Sequence, residues 1–239
     1  MMRKVRADLH LHTCLSPCAD TQMQATVIVK QAKKVGLDMI GICDHNSAEN
    51  VAAVMKAGVR EGLPVIPGIE ITSCEEVHIL GLFNSEQDLM NLQEMVYDNL
   101  SGENYEQFFG PQTVIDEWDR VLGTNHRLLI GATTLTVEQI VEAIHRRSGL
   151  AIASHVDRER FSLIGQLGFI PKGLGLDALE VSTPSSIKQG YDYPIVTFSD
   201  AHFLEDIGKS STCFMIEDTS ALEIGRALRC ELGRMVVSN

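Results

Sequence analysis

Two rhythms of apolar and polar positions alternate along this chain. "VRADLHL" (5–11) repeats with a period of two, which puts Val5, Ala7, Leu9 and Leu11 on one face of a strand. "ATVIVKQAKKVGLD" then places apolar residues at helical spacing and stops near Gly36. "MIGICDHN" is a short apolar run closed by polar residues, the pattern of a buried strand. "SAENVAAVMKAGVREG" reads as a helix capped by Ser47 and ended at Gly62. "PVIPGIEITS" and "EVHILGLF" predict two further strands, the second antiparallel to its neighbours, and "SEQDLMNLQEMVYDNL" predicts a helix with Ser85 as its cap.

The pattern loosens from Ser101 to about Arg127, an excursion in which "QTVIDEWDRVLG" reads as a short helix. Order returns with helix "TVEQIVEAIHRRSG", strand "LAIASHV", helix "RERFSLIGQLG", strands "DALEVST", "PIVTFSD" and "STCFMIE", and helix "SALEIGRALRCE". No internal repeat or low-complexity linker divides the series. Repeated βα units over residues 1–239 predict one domain with a barrel-like α/β fold.

Composition narrows the function. The chain is 44% hydrophobic, ordinary for a folded domain, and no apolar run approaches the roughly 18 residues of a membrane helix. "MMRKVRADLH" carries charge without an apolar stretch behind it, so no export signal and a cytoplasmic location without membrane attachment are expected. Six cysteines without a C-x-x-C pair are then expected to be reduced. A net charge of −12 disfavours long nucleic acid and anionic membranes as partners. It leaves room for a small phosphorylated substrate, because bound cations invert the local field.

The candidate chemistry sits where such folds collect it, at the C-terminal ends of strands. Asp8, His10 and His12, then Asp44 and His45, Glu70, His155, and Asp200 with His202 each close a strand-like run. Residues i and i+2 share a strand face, so His10 and His12, like Asp200 and His202, can grip one ion from one side. Asp44 either orients a ligand or caps the following turn. His78 reads as a core histidine or a ligand, whereas His126 and His145 read as solvated. Arg158 and Arg160 follow His155; an arginine fork suits phosphate, which makes Arg158 the candidate substrate contact and Lys188 a weaker one. The aromatic run "YEQFFGP" and the thiols of Cys43, Cys74 and Cys213 read as packing, and Cys230 as peripheral.

"DLHLHT..S", "GICDHNS", "PGIEIT", "VHILG", "AIASHV" and "FSDAH", in this order over residues 8–202, resemble the successive motifs of the PHP (polymerase and histidinol phosphatase) superfamily. The resemblance implies a distorted (β/α)7 barrel with a metal cleft at the C-terminal ends of its strands. It implies two or three divalent ions (zinc, manganese or iron) that hydrolyse a phosphoester, with a metal-bridging hydroxide in place of a protein nucleophile. Carried over by position, His10, His12 and Asp200 would hold the first ion, Glu70 would bridge the first and second, and His78 and His155 would complete the second. His45 and His202 would hold the third with one more ligand from the loop after His12. A gapless match puts Cys18 where some relatives have histidine; others have aspartate at the position of Pro17, so Asp20 and an incomplete third site stand as alternatives. The substrate expected is a small phosphomonoester or nucleotide. Two other readings compete: a non-catalytic metal-bound sensor or docking module that keeps the fold, and an amidohydrolase-like hydrolase, whose barrel also begins with His-x-His.

Overall fold

Val5, Ala7, Leu9 and Leu11 are all fully buried, and the strand they belong to, β1 (Arg3–Leu11), is the seam of the molecule. The computed structural model describes residues 1–183 and 192–237. From β1 the sheet runs through β2 (Met39–Ile42), β3 (Val65–Thr72) and β4 (His78–Leu82). The excursion contributes a small separate sheet of β5 (Thr113–Ile115) and β6 (Val121–Thr124). The main sheet resumes with β7 (Leu150–Ala153), β8 (Ala178–Glu180) and β9 (Ile195–Val196).

Beyond β9 the chain returns to β1: Leu11 and Ala201 form a parallel bridge, and the His12 N–H donates to Ala201 O at 3.0 Å. The other half of β1, Arg3–Ala7, pairs antiparallel with β10 (Thr212–Ile216), which is itself paired with β11 (Met235–Val237). Thr197 and Thr212 bridge the remaining gap through the Thr212 hydroxyl, at 2.8 and 2.9 Å. The sheet is therefore a nearly closed, distorted α/β barrel. From β1 to β9, β3–β4 and β4–β7 are antiparallel and the pairs β1–β2, β2–β3, β7–β8 and β8–β9 parallel, as the sequence pattern of "EVHILGLF" anticipates. Close strand contact is enforced at Gly41, where a Cβ would stand 2.5 Å from Leu9 O.

Helices α1 (Ala25–Lys34), α2 (Val51–Glu61), α3 (Glu86–Asp98), α5 (Val137–His145) and α7 (Ala221–Leu228) pack apolar faces on the sheet, with the short α4 (Glu106–Phe109) and α6 (Leu163–Leu167) in loops. Ser85 caps α3 by accepting the Asp88 N–H. Ser47 does not cap α2; Asn50 holds that position, and the Ser47 hydroxyl bonds to Gln93 and Tyr97.

The excursion corrects the sequence reading. "QTVIDEWDRVLG" is the β5–β6 hairpin, because Asp116 accepts the Trp118 and Arg120 N–H groups and Asp119 adopts φ 66°. The helix predicted over "RERFSLIGQLG" shrinks to α6: Phe161 takes φ 55°, and Ser162 starts the helix by accepting the Gly165 N–H. Cys74 is exposed rather than packed. His145 is not merely solvated, since it bonds to Asp177 at 2.9 Å. Among the described residues, no helix is long and apolar enough to cross a membrane.

One buried acid fastens the barrel's far edge. Glu223 of α7 accepts from Arg226, Arg234 and the Glu217 N–H at 2.8–3.1 Å. Burial pushes its carboxyl up, but these donors outweigh it and bring it down to about 2. A depressed carboxylate contributes stability above its unfolded pKa, and that contribution fades as pH falls from about 4.5 toward about 2. Glu223→Gln should therefore lower stability by about 2 kcal/mol at neutral pH. The gap to wild type should narrow as melting is followed from pH 6 to pH 3.

Candidate metal centre

Every strand that reaches the C-terminal mouth delivers a metal-type donor there. β1 ends in His10 and His12, β2 runs into His45, and β3 carries Glu70. β4 runs the opposite way, so its first residue, His78, stands at the same mouth, paired with Thr72. β7 is followed by His155, and the strand that returns to β1 is followed by Asp200 and His202. His10, His12, Glu70, His45, His78 and His155 are all buried. His155 and Asp200 hold left-handed backbones (φ 31° and 50°), a costly conformation for such residues that clusters at functional sites.

Glu70 is the centre. Its carboxylate lies 3.0–3.5 Å from nitrogens of His10, His12, His45, His78 and His155. Burial pushes it up, but His78, His10 and His45 hold it well below the usual carboxylate range. Both Glu70 oxygens, His45 Nδ1 and His78 Nδ1 are buried without a hydrogen-bond partner among the described residues. Buried polar atoms are rarely left orphaned in this way. Such a donor set, aimed at a common space, fits divalent cations.

Three groups offer ligand atoms within 4.8 Å of one another: His10, His12, Glu70 and Asp200; His45, Glu70 and His78; and His12, His45 and His202. The first of these matches the set that the resemblance implies for one ion. In the group with Glu70 and His78, His45 takes part where the resemblance names His155, and in the group with His45 and His202, His12 takes part where it names a loop residue. His155 stands beside them, with Nε2 3.5 Å from Glu70.

Neighbouring residues fix which nitrogen each imidazole presents. His10 Nδ1 faces Glu180 at 2.9 Å, and a carboxylate only accepts, so Nδ1 carries the proton and Nε2 is left for the cluster. The Ser16 hydroxyl spends its single proton on Asp44 at 2.7 Å and accepts from His12 Nδ1 at 3.0 Å. His202 Nδ1 donates to the Asp200 carbonyl at 2.8 Å. Asp44 thus orients a cluster histidine through Ser16, and also binds the Thr13 N–H and hydroxyl at 2.7 Å each. Asp8 holds the Asp200 loop by accepting from the Ser199 N–H and hydroxyl and the Gly208 N–H at 2.6–2.9 Å. The role of Glu180 was not drawn from the sequence: its only signal is a lone acid at the end of "DALE", which resembles any solvated strand terminus.

The remaining sequence candidates lie at the rim. Arg158 donates to Asp200 at 2.5 Å and to the Ser182 hydroxyl at 3.2 Å. Phe161 stacks on His78 with ring centroids 4.8 Å apart. Burial pushes the Cys18 thiol up, but the nearby His45 and His202 bring it down to about 6. Asp20 turns into its own loop and accepts the Gln22 N–H at 2.7 Å. Arg160 and His126 are exposed and apart from the cluster, and Lys188 lies outside the described residues.

A barrel whose mouth gathers buried imidazoles and carboxylates around one bridging acid is a metal-binding α/β barrel. The PHP domain model matches residues 8–164, and the chain belongs to that family. It is 32% identical over 80 residues to phosphoribosyl 1,2-cyclic phosphate 1,2-diphosphodiesterase of Eggerthella lenta, covering 31% of this chain and 29% of that protein. It is 31% identical over 78 residues to a 5'-3' exoribonuclease of Haemophilus influenzae, covering 31% of this chain and 27% of that one. The chain thus spans under a third of either relative. Among solved structures, the lesion-specific endonuclease of Pyrococcus furiosus superposes with TM-score 0.75 at 21% identity, over 98% of this chain and 58% of that one. A candidate metal-dependent phosphoesterase of Bifidobacterium adolescentis does so with TM-score 0.58 at 19% identity, over 94% and 95%. These likenesses show the fold.

Proposed function

We propose that this chain hydrolyses phosphoesters in the cleft around Glu70, with a small phosphomonoester or nucleotide as substrate. The observation that carries the reading is the orphaned, fully buried Glu70 carboxylate ringed by five histidines. In this reading His10, His12, Glu70 and Asp200 hold one divalent ion, Glu70 with His78 and His155 a second, and His45 with His202 share a third. When bound, such ions screen the charge of the phosphoester and bring the pKa of water toward neutrality.

The protein's own part is positioning. Glu180, Ser16 and the Asp200 carbonyl keep His10, His12 and His202 in the tautomer whose Nε2 faces the cleft. Arg158 stands where a phosphate oxygen would replace part of its bond to Asp200, adding a charge-assisted hydrogen bond from a group that cannot deprotonate. The exposed face of Phe161 offers a stacking surface beside it for the rest of the substrate.

Metal-loaded protein should release p-nitrophenol from p-nitrophenyl phosphate or its diester, and Arg158→Ala should lower kcat/KM by about 10- to 100-fold. A nucleotide and a duplex bearing an abasic site belong in the same panel. The solved complex of endonuclease Q holds a 27-mer duplex with an abasic lesion at its active site, which supports DNA cleavage as a second reading. Turnover of the duplex alone would favour that reading. A fully metallated protein inert against every ester would favour a sensor or docking role.

A further inference from the structure

We propose that Asn46 is a positioning residue for His45: its left-handed backbone and three side-chain hydrogen bonds hold that imidazole at Glu70 and tie the metal centre to the excursion. The inference rests on the metal-centre reading above and deepens it by naming what fixes one of its donors.

His45 stands at a turn. β2 ends at Ile42, and the chain has to bring the imidazole to the cleft before it leaves for α2. Two backbone bonds fasten this turn to β3. The Glu70 N–H donates to Asp44 O at 3.1 Å, and the Asn46 N–H donates to Glu70 O at 2.8 Å. His45 and Glu70 thus form a parallel bridge, and His45 Nδ1 lies 3.0 Å from the Glu70 carboxylate. Asn46 turns the chain by taking φ 50°, a conformation that asparagine enters more readily than most residues with a Cβ.

The side chain then locks the turn. Asn46 is fully buried; its Oδ1 accepts the Thr72 N–H at 3.0 Å, and its Nδ2 donates to Leu129 O and Gly131 O at 2.8 Å each. Thr72 ends β3, two residues beyond Glu70, and is paired with His78. Leu129 and Gly131 belong to the segment that returns from the excursion, and that segment is itself anchored. The Leu129 N–H donates to Gln112 at 3.1 Å, and the Thr133 N–H and hydroxyl donate to Thr72 O at 2.9 and 2.8 Å. One carboxamide, next in sequence to His45, therefore joins the strand that carries Glu70 to the end of the excursion.

The demands on this position are specific. Glycine adopts the φ but has no side chain to bond two carbonyls and an N–H. Aspartate keeps an acceptor for Thr72, yet when ionised it has no donor and sets a charge against two carbonyl oxygens. Alanine supplies neither the φ nor the bonds. A histidine held in place before an ion arrives spares the entropy of ordering it on binding, so loss of these bonds is read as loss of metal affinity.

The test is titration of metal-free protein with zinc in competition with a chromogenic chelator. In the binding step that His45→Ala weakens, Asn46→Gly and Asn46→Asp should each bind zinc about 10-fold more weakly, and Asn46→Ala, which also strains the backbone, about 100-fold more weakly. The cycle with His45→Ala separates positioning from a general loosening of the fold. Because Asn46 acts through His45, Asn46→Gly should cost no further zinc affinity once His45 is alanine, whereas a general loosening would cost as much in both backgrounds. Circular dichroism checks that each variant folds; the glycine and aspartate variants carry the cycle if Asn46→Ala does not. Wild-type zinc affinity in Asn46→Gly and Asn46→Asp, or a loss that adds in full to that of His45→Ala, would overturn the positioning role and leave the metal centre standing. Failure of wild type to bind zinc at all would overturn both.

Discussion

Glu70→Gln should abolish phosphoester turnover, with a loss of about a thousandfold or more, and should strip the protein of tightly bound metal. The substitution keeps the shape of the side chain and one carbonyl oxygen. It removes the single buried charge within 3.5 Å of five histidines. Among the described residues no other carboxylate reaches that many imidazoles; Asp200 reaches His10, His12 and His202. A neutral amide bridges cations poorly, and several kcal/mol of charge stabilisation are lost with it, each 1.36 kcal/mol being about tenfold in rate. Elemental analysis beside the rate assay separates loss of metal from loss of fold. If Glu70→Gln retains wild-type metal content and rate, Glu70 does not bridge.

The second large effect is expected at Glu180, whose carboxylate faces His10 Nδ1. Glu180→Gln should weaken metal affinity by about 10- to 100-fold, the range for a lost carboxylate partner of a ligating histidine. The physical reason is the tautomer. Glu180 accepts from His10 Nδ1 and thereby exposes Nε2 to the cluster; glutamine can instead donate to Nδ1 and favour the opposite form. Burial pushes His10 down, yet Glu180, Glu70 and Asp200 raise it well above its ordinary value, Glu180 most of all. Because the effect is on affinity, saturating metal should restore most of the rate, which a purely structural defect would not do. A variant whose rate stays low at saturating metal would contradict the positioning role.

The fold was legible wherever one face of an element is dry and the other wet. The alternation in Val5–Leu11 and the helical spacing in α1, α3, α5 and α7 are written in residue type because burial selects it. The excursion was illegible for the same reason: β6 is exposed along its length, so no buried face imprinted a period on it. There the hairpin is set by Asp116 and Asp119, through local hydrogen bonds and a positive φ that a helical window does not see.

The candidate donors were legible because each closes an apolar run, and topology then brings the runs to one mouth. Even His78, at the start of its strand, follows this rule once β4 is antiparallel. The supporting groups were not legible in full. Glu180, Ser16 and Asp8 lie far in sequence from some of what they hold: Glu180 is 170 residues from His10 and Asp8 is 191 from Ser199. No local pattern records a hydrogen bond across that distance. Asp44 stood open between two roles, and its bond to Ser16, which holds His12, decides for orientation.

The measurement that bears most directly on the central claim is phosphoester turnover by metal-free protein as manganese or zinc is added back, with bound ions counted at each step. Turnover should be absent without metal, rise as the positions around Glu70 fill, and disappear again with a chelator. Turnover that does not depend on metal, or a fully metallated protein that cleaves no phosphoester, would contradict the account.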